Sequence, residues 1–139
     1  DQEGWKQLTA ELGGRVQLRS EGAAGNPVVF NRELLEWVLE NLIKNGIDAL
    51  VDGKGTVTVR LADNPDGGVI VRVSDTGRGI KPSHRAKIFE AGFSTKSRGW
   101  GMGLALVKRI VTQYHDGRIR VENTGRQGTT IAFTLPGKD

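Results

Sequence analysis

The chain has 139 residues, a formal net charge of +4 and no cysteine. That length fits one domain with a proper core, and the lack of cysteine excludes disulfides and thiolate metal centres, as suits a reducing compartment. No apolar run approaches membrane-spanning length and no signal-like start is present. The basic residues are scattered, with a mild concentration between Lys81 and Arg98. A nucleic-acid surface would show a denser stripe, so no nucleic-acid partner is expected; a basic loop closing over a polyphosphate accounts better for the local cluster. The chain opens on Asp1 rather than Met, as expected of a piece of a longer protein.

Residues 1–13 carry one apolar helix-like patch (Trp5, Leu8, Leu12) ended by Gly13-Gly14. They read as the tail of a preceding helix or a linker, with the domain proper at 14–139. Arg15–Arg19 reads as a short strand. Asn31 is a good N-cap, and Leu34 to Leu50 a long helix. Asp52 to Gly55 turns the chain. Val57, Val59 and Leu61 alternate with Thr58 and Arg60, which predicts a half-buried strand. Asn64 to Gly68 is a turn cluster and Val69–Val73 the returning strand. The stretch 76–100 is rich in Gly, Ser, Lys and Arg, with a short helical stretch around Ser83–Phe89. Leu104–Tyr114 is a second long helix, stopped by Asp116-Gly117. Arg118–Glu122 and Thr130–Leu135 are the last strands, joined through Gly125 and Gly128. Antiparallel hairpins with helices gathered on one side predict an α+β layered sandwich rather than a doubly wound sheet.

On a helical wheel, Leu35, Val38, Leu39, Leu42, Ile43, Gly46, Ala49 and Leu50 form a broad apolar stripe. Glu33, Glu40, Lys44 and Val51 lie opposite, with Glu40 and Lys44 spaced for an outward ion pair. Trp37, Asn41, Asn45 and Asp48 make a narrow stripe between the two. Residues four apart are neighbours on one face, so the two amides project side by side. Asn is a mediocre helix former because its side chain competes for backbone hydrogen bonds. Asn41 and Asn45 are either plain surface residues or oxygen donors to a metal. Mg²⁺ takes hard oxygens and keeps several waters and phosphate oxygens, so a neutral amide suits a site that already holds a polyphosphate.

Val69–Val73 runs into Asp75-Thr76-Gly77-Arg78-Gly79-Ile80. The pattern reads either as a plain Asp-Gly turn or as a carboxylate at a pocket mouth, a natural acceptor for the amino group of adenine. Gly77 and Gly79 would let the base approach the backbone. Gly99-x-Gly101-x-Gly103-Leu104 opens the second helix, and convergent backbone N–H groups at a helix start bind anions. Its spacing is neither the dinucleotide fingerprint nor a P-loop. Between the two loops, Phe89 and Phe93 are spaced to pin a flexible segment onto the core, and Lys96 is placed to reach phosphate oxygens.

These residues resemble the ATP-binding catalytic domain of sensor histidine kinases, in the larger group with gyrase B, Hsp90 and MutL. Glu40 to Gly46 is similar to the N box, Asp75 to Ile80 to the G1 box, Phe89 to Phe93 to the F box, and Gly99 to Leu106 to the G2 box. The resemblance covers residues 31–135. It implies a Bergerat-type two-layer sandwich, with a mixed, mostly antiparallel sheet of about five strands packed on three helices and ATP under a mobile lid. By matching position, Asn45 is the Mg²⁺ ligand, Asn41 its neighbour, and Lys96 joins them in the catalytic set. Asp48, Asp75, Gly77, Gly79 and Ile80 fall to the nucleotide, as do Phe93, Ser94, Thr95 and Lys96 of the lid. Gly99, Gly101, Met102, Gly103 and Leu104 complete the cradle. The implied cofactors are ATP and Mg²⁺. The implied partners are a histidine-bearing dimerisation domain and a response regulator receiver domain, with no direct membrane contact by this domain. A cytoplasmic location is expected, whether or not the parent protein is membrane-anchored.

Two departures from the family pattern stand out. Gly46 replaces the usual Ala, at about 1 kcal/mol of helix stability, with no effect expected on the chemistry. Asn41 stands where ATP-hydrolysing relatives carry a Glu general base. An amide cannot take a proton from water, which favours phosphotransfer to an acceptor that is already a nucleophile. Neither His84 nor His115 fits the family's His-acid acceptor pattern. The competing readings are a serine kinase of the anti-sigma-factor type, an ATP-gated conformational module, and a nucleotide sensor that transfers nothing.

Overall fold

The computed structural model describes residues 16–93 and 103–138. In chain order these form β1 (Val16–Gly22), α1 (Arg32–Ala49), a 3-10 turn (Val51–Gly53), β2 (Gly55–Asp63) and β3 (Val69–Asp75). A short α2 (Pro82–Arg85), α3 (Gly103–Arg109, continued by a π-helical turn over Ile110–Tyr114), β4 (Ile119–Gly125) and β5 (Gly128–Leu135) follow. The segment 1–13 lies outside the described residues.

The strands make one five-stranded sheet in the order β1-β2-β3-β5-β4. β1 pairs with β2 in parallel, and every other pair is antiparallel. The parallel pair requires a crossover, and α1 is that crossover. The result is the expected α+β sandwich with a mixed, mostly antiparallel sheet and, among the described residues, three α-helices. The β1 and β4 strands run further than their apolar patterns suggest, because backbone pairing at the sheet edges continues through polar residues. By contrast, the helix expected over Ser83–Phe89 is only one turn, Pro82–Arg85, and the rest is turns.

α1 forms where its cap and its stripe agree. The Asn31 side chain accepts from the Leu34 N–H at 3.0 Å, and Asn31 itself is extended. Leu35, Val38, Leu42, Ile43 and Gly46 are buried against the sheet. Val69, Val71 and Val73 of β3 face them, and Val71 is paired with the fully buried Phe133 of β5. Burying a large aromatic side chain there contributes about 2–3 kcal/mol. Glu40 and Lys44 form no ion pair with one another among the described residues. Both are exposed, and an exposed pair gains little over its hydrated ends.

α3 does not stay α-helical to Tyr114. His115 Nδ1–H donates to the Ile110 carbonyl at 3.0 Å, and the Gly117 N–H reaches the Val111 carbonyl at 2.8 Å. The backbone bond of Gly117 reaches six residues back, further than an α-helical bond, where the last turn is π-helical. Asp116 then takes a positive φ of 54°, and Gly117 fits where a Cβ would meet the Thr134 carbonyl oxygen at 1.9 Å.

Candidate nucleotide site

The narrow stripe on α1 comes out as its spacing predicts. Trp37, Asn41 and Asn45 are half-buried and Asp48 is exposed. Asn41 donates its amide N–H to the Trp37 carbonyl at 2.8 Å. That bond fixes the amide orientation and leaves Oδ1 as the outward atom. A Cβ built on Gly103 would lie 3.5 Å from this oxygen, so the start of α3 faces the Asn41 carboxamide. Two motifs distant in sequence thus meet at one end of the site. Leu104 is half-buried and packs against the core.

Asp75 ends β3 between Val57 on β2 and Thr129 on β5. Its Oδ1 accepts from the Gly77 N–H at 2.8 Å. Burial pushes its carboxyl above the ordinary Asp value, opposed by N–H donors from Gly77 and Thr129 and by the charge of Arg78. Desolvation wins because taking a charge out of water costs more than these partners return. Gly46 lies directly on this residue: a Cβ there would meet Val57 Cγ2 at 3.2 Å and Asp75 Cβ at 3.3 Å. Gly46 is therefore a packing contact of α1 on β2 and β3, beyond the helix cost read from the sequence. It lets α1 settle close against the side chains of Val57 and Asp75.

The loop after Asp75 is shaped by the end of α1. The Arg78 N–H donates to the Ala49 carbonyl at 3.0 Å, and the Arg78 guanidinium to the Asp48 carbonyl at 2.9 Å. Carbonyls in the last helical turn have no partner inside the helix, so the loop caps it. A Cβ on Gly77 would sit 2.3 Å from the Ala49 carbonyl oxygen. Gly79 has a φ of +80°, and a Cβ there would sit 2.3 Å from the Gly125 carbonyl oxygen. Both glycines are thus required by backbone packing, whereas the sequence suggested only room for a base. The Ile80 N–H donates to Thr124 Oγ1 at 2.9 Å, tying the loop to the β4–β5 hairpin.

Of the segment between the two glycine loops, Ile88 is the buried anchor. Phe93 packs edge-on against His84, with ring centroids 5.1 Å apart, while Phe89 is half-buried. Ser94, Thr95, Lys96, Gly99, Gly101 and Met102 lie outside the described residues. His115 is buried and both ring nitrogens are engaged, Nδ1 with the Ile110 carbonyl and Nε2 accepting the Asn31 N–H at 3.0 Å. It ties the end of α3 to the start of α1.

Three residues at the site escape a reading by motif. Gly128 lies where a Cβ would come within 1.8 Å of the Asp75 carbonyl oxygen. Thr129 is buried beside Asp75, and its hydroxyl is 2.7 Å from that of Thr124. Only the strand register brings these residues to Asp75. Among the described residues no three His, Cys, Asp or Glu side chains converge as a metal cluster. The oxygens on the α1 stripe suit a cation that arrives with phosphate and water as its other ligands. No helix of the described residues is long and apolar enough to cross a membrane.

Residues 30–139 match the family of histidine kinase-, DNA gyrase B- and HSP90-like ATPases. The signal transduction histidine-protein kinase AtoS of Escherichia coli is 36% identical over 129 residues, which cover 92% of this chain and 21% of that protein. The chain thus spans about a fifth of the length of this relative. The catalytic domain of histidine kinase ThkA superposes with a TM-score of 0.80 at 27% identity, covering 96% of this chain and 85% of the other. Full-length ShkA, solved in complex with AMPPNP, gives a TM-score of 0.77 at 27% identity over 99% of this chain and 30% of its own. ThkA has also been solved in complex with the response regulator protein TrrA. Ordered motifs, sheet topology and matches over most of the chain agree: the chain belongs to the histidine kinase-, DNA gyrase B- and HSP90-like ATPase family.

Proposed function

We propose that this chain is the ATP-binding kinase domain of a two-component sensor histidine kinase. It transfers the γ-phosphoryl group of ATP to a histidine on a separate helical dimerisation domain, from which a response regulator receiver domain takes it. The observation that carries this reading is that one helix, α1, meets Asp75 at Gly46 and the start of α3 at Asn41. Kinase relatives and neighbours, one of them holding AMPPNP, support it.

In this reading the Asp75 carboxylate accepts the adenine amino group, and Gly77 and Gly79 hold that carboxylate and its loop in place. Asn45 supplies an amide oxygen to Mg²⁺, with Asn41 and Asp48 on the same face. When bound, the metal neutralises charge on the β- and γ-phosphates. Asn41, with its N–H committed to Trp37, presents an oxygen that can orient water or a metal ligand but cannot remove a proton. Slow hydrolysis and transfer to an imidazole follow from that. By their match to the family motifs, Gly99, Gly101, Met102, Gly103 and Leu104 fall to the phosphates, and Ile80, Phe93, Ser94, Thr95 and Lys96 to the nucleotide. Both nitrogens of His115 are occupied and His84 is followed by Arg85 rather than an acid, so in this reading the acceptor histidine comes from outside this domain.

The test is incubation with labelled ATP, Mg²⁺ and histidine-bearing helical domains of sensor kinases. Label on the helical domain that is lost in acid and kept in base is the expected result. An acid-stable product would favour the serine kinase reading, and nucleotide-driven dimerisation without transfer the conformational module.

A further inference from the structure

We propose that Trp37 is the residue that receives the acceptor domain: its indole meets the helix that brings the acceptor histidine and so lines the imidazole up with the γ-phosphate. This rests on the reading of the chain as a histidine kinase domain with the base at Asp75. Two contacts along α1 mark the two ends of the nucleotide. Gly46 abuts Asp75, with a Cβ there 3.3 Å from Asp75 Cβ, and Asn41 Oδ1 lies 3.5 Å from a Cβ built on Gly103 at the start of α3. From base to phosphates the ligand therefore runs toward the N-terminus of α1, over about 7.5 Å of helix axis.

Phosphoryl transfer is in line, so the attacking nitrogen enters opposite the leaving oxygen, beyond the γ-phosphate. Trp37 stands one helical turn beyond Asn41 on the same stripe, about 6 Å further along the axis. Its carbonyl accepts the Asn41 amide N–H at 2.8 Å, which fixes the two stripe residues to one another. The indole is half-buried and packs against the core, which accounts for one side of the ring. The other members of its stripe, Asn41, Asn45 and Asp48, are all polar, so the remaining indole surface lies on a polar border. Helical side chains lean toward the helix N-terminus. That carries the indole past Asn41 and away from both the base and the Asn45 amide. A rigid aromatic ring in that place gives a large contact at low entropic cost. It also presents a face on which an imidazole or an apolar side chain of the incoming helix can stack.

The experiment is transfer of label from ATP to the histidine-bearing helical domain that the full chain phosphorylates, measured against acceptor concentration. The parent chain is compared with Trp37→Ala, Trp37→Phe, Trp37→Leu and Tyr114→Ala, and ADP is titrated into each by calorimetry. Trp37→Ala is expected to raise the acceptor KM about tenfold while ADP affinity stays within about twofold. Trp37→Phe should regain most of the loss, whereas Trp37→Leu, which refills the core side without a flat ring, should not. Tyr114→Ala removes an exposed aromatic at the far end of α3 and should change neither reading. An unchanged acceptor KM in Trp37→Ala overturns the proposal. So does a loss of ADP affinity that by itself accounts for the slower transfer, which is what a packing role alone would give. Should the alanine variant fail to fold, Trp37→Leu is read in its place, and an acceptor KM equal to that of the parent overturns the proposal. A parent chain that labels no histidine-bearing domain removes the kinase reading and this proposal with it. A parent that transfers while both variants keep its acceptor KM loses only the role of Trp37.

Discussion

Gly77 lies beneath the last carbonyl of α1, where a Cβ would approach the Ala49 oxygen to 2.3 Å. The neighbouring Arg78 N–H bonds that same oxygen, so the loop has no freedom to retreat without uncapping the helix. Gly77→Ala is expected to cost about 3 kcal/mol and to lower nucleotide affinity with it, because the displaced N–H also serves Asp75. Denaturant unfolding measures the first effect; an unchanged midpoint would show that the contact relaxes freely.

Asp75→Asn should keep the fold and weaken ATP binding by roughly ten- to a hundredfold, the loss of one charge-assisted hydrogen bond. Unchanged affinity by calorimetry would remove Asp75 from the base. Its pH behaviour follows from burial, which raises its pKa. The folded state then holds the proton more tightly than the unfolded one. This carboxyl's contribution to stability is full below the unfolded pKa and is lost as pH rises through the folded value. Nucleotide affinity moves the other way. It should fall as pH drops through the raised pKa, at a higher pH than an ordinary Asp would give, and this fall should vanish in Asp75→Asn.

Asn45→Ala should abolish the Mg²⁺ dependence of ATP binding. Titrations with Mg²⁺ and with excess chelator should then give equal affinities. A variant whose affinity still rises with Mg²⁺ as in the parent would assign the metal to other ligands.

His115→Leu removes both ring nitrogens and leaves the Asn31 N–H and the Ile110 carbonyl unpaired. The expected loss is about 2 kcal/mol, read as a lower thermal midpoint. Label transfer to a helical acceptor domain should persist below that midpoint. Loss of transfer with unchanged stability would reopen His115 as a chemical participant.

Much of this architecture was legible in the chain because local and long-range signals coincide. Asn31 sits at the helix start its side chain caps, and the apolar stripe from Leu35 to Gly46 is the buried one. The stripe of Trp37, Asn41, Asn45 and Asp48 needed only helical periodicity. What could not be read depends on contacts between segments distant in sequence. The parallel pairing of β1 leaves no local mark. The π-helical turn is accompanied by bonds from the His115 side chain and the Gly117 N–H back to Ile110 and Val111, which no local pattern marks. The tight approach of Gly77 to Ala49, of Gly46 to Asp75, and the pairing of Thr129 with Asp75 all follow from register and packing.

The parallel pairing at the sheet edge has a practical result for attaching the protein to anything. Val16 pairs with Gly55, at the same end of the sheet as Asp75, whereas Leu135 pairs with Val69 at the other end. Seven residues of β3 separate those ends, about 20 Å of strand. A tether or reporter dye fused after Lys138 would therefore hang well clear of bound nucleotide. The same group spliced immediately ahead of Val16 would hang beside it, and would respond optically to ligand where the first would stay silent.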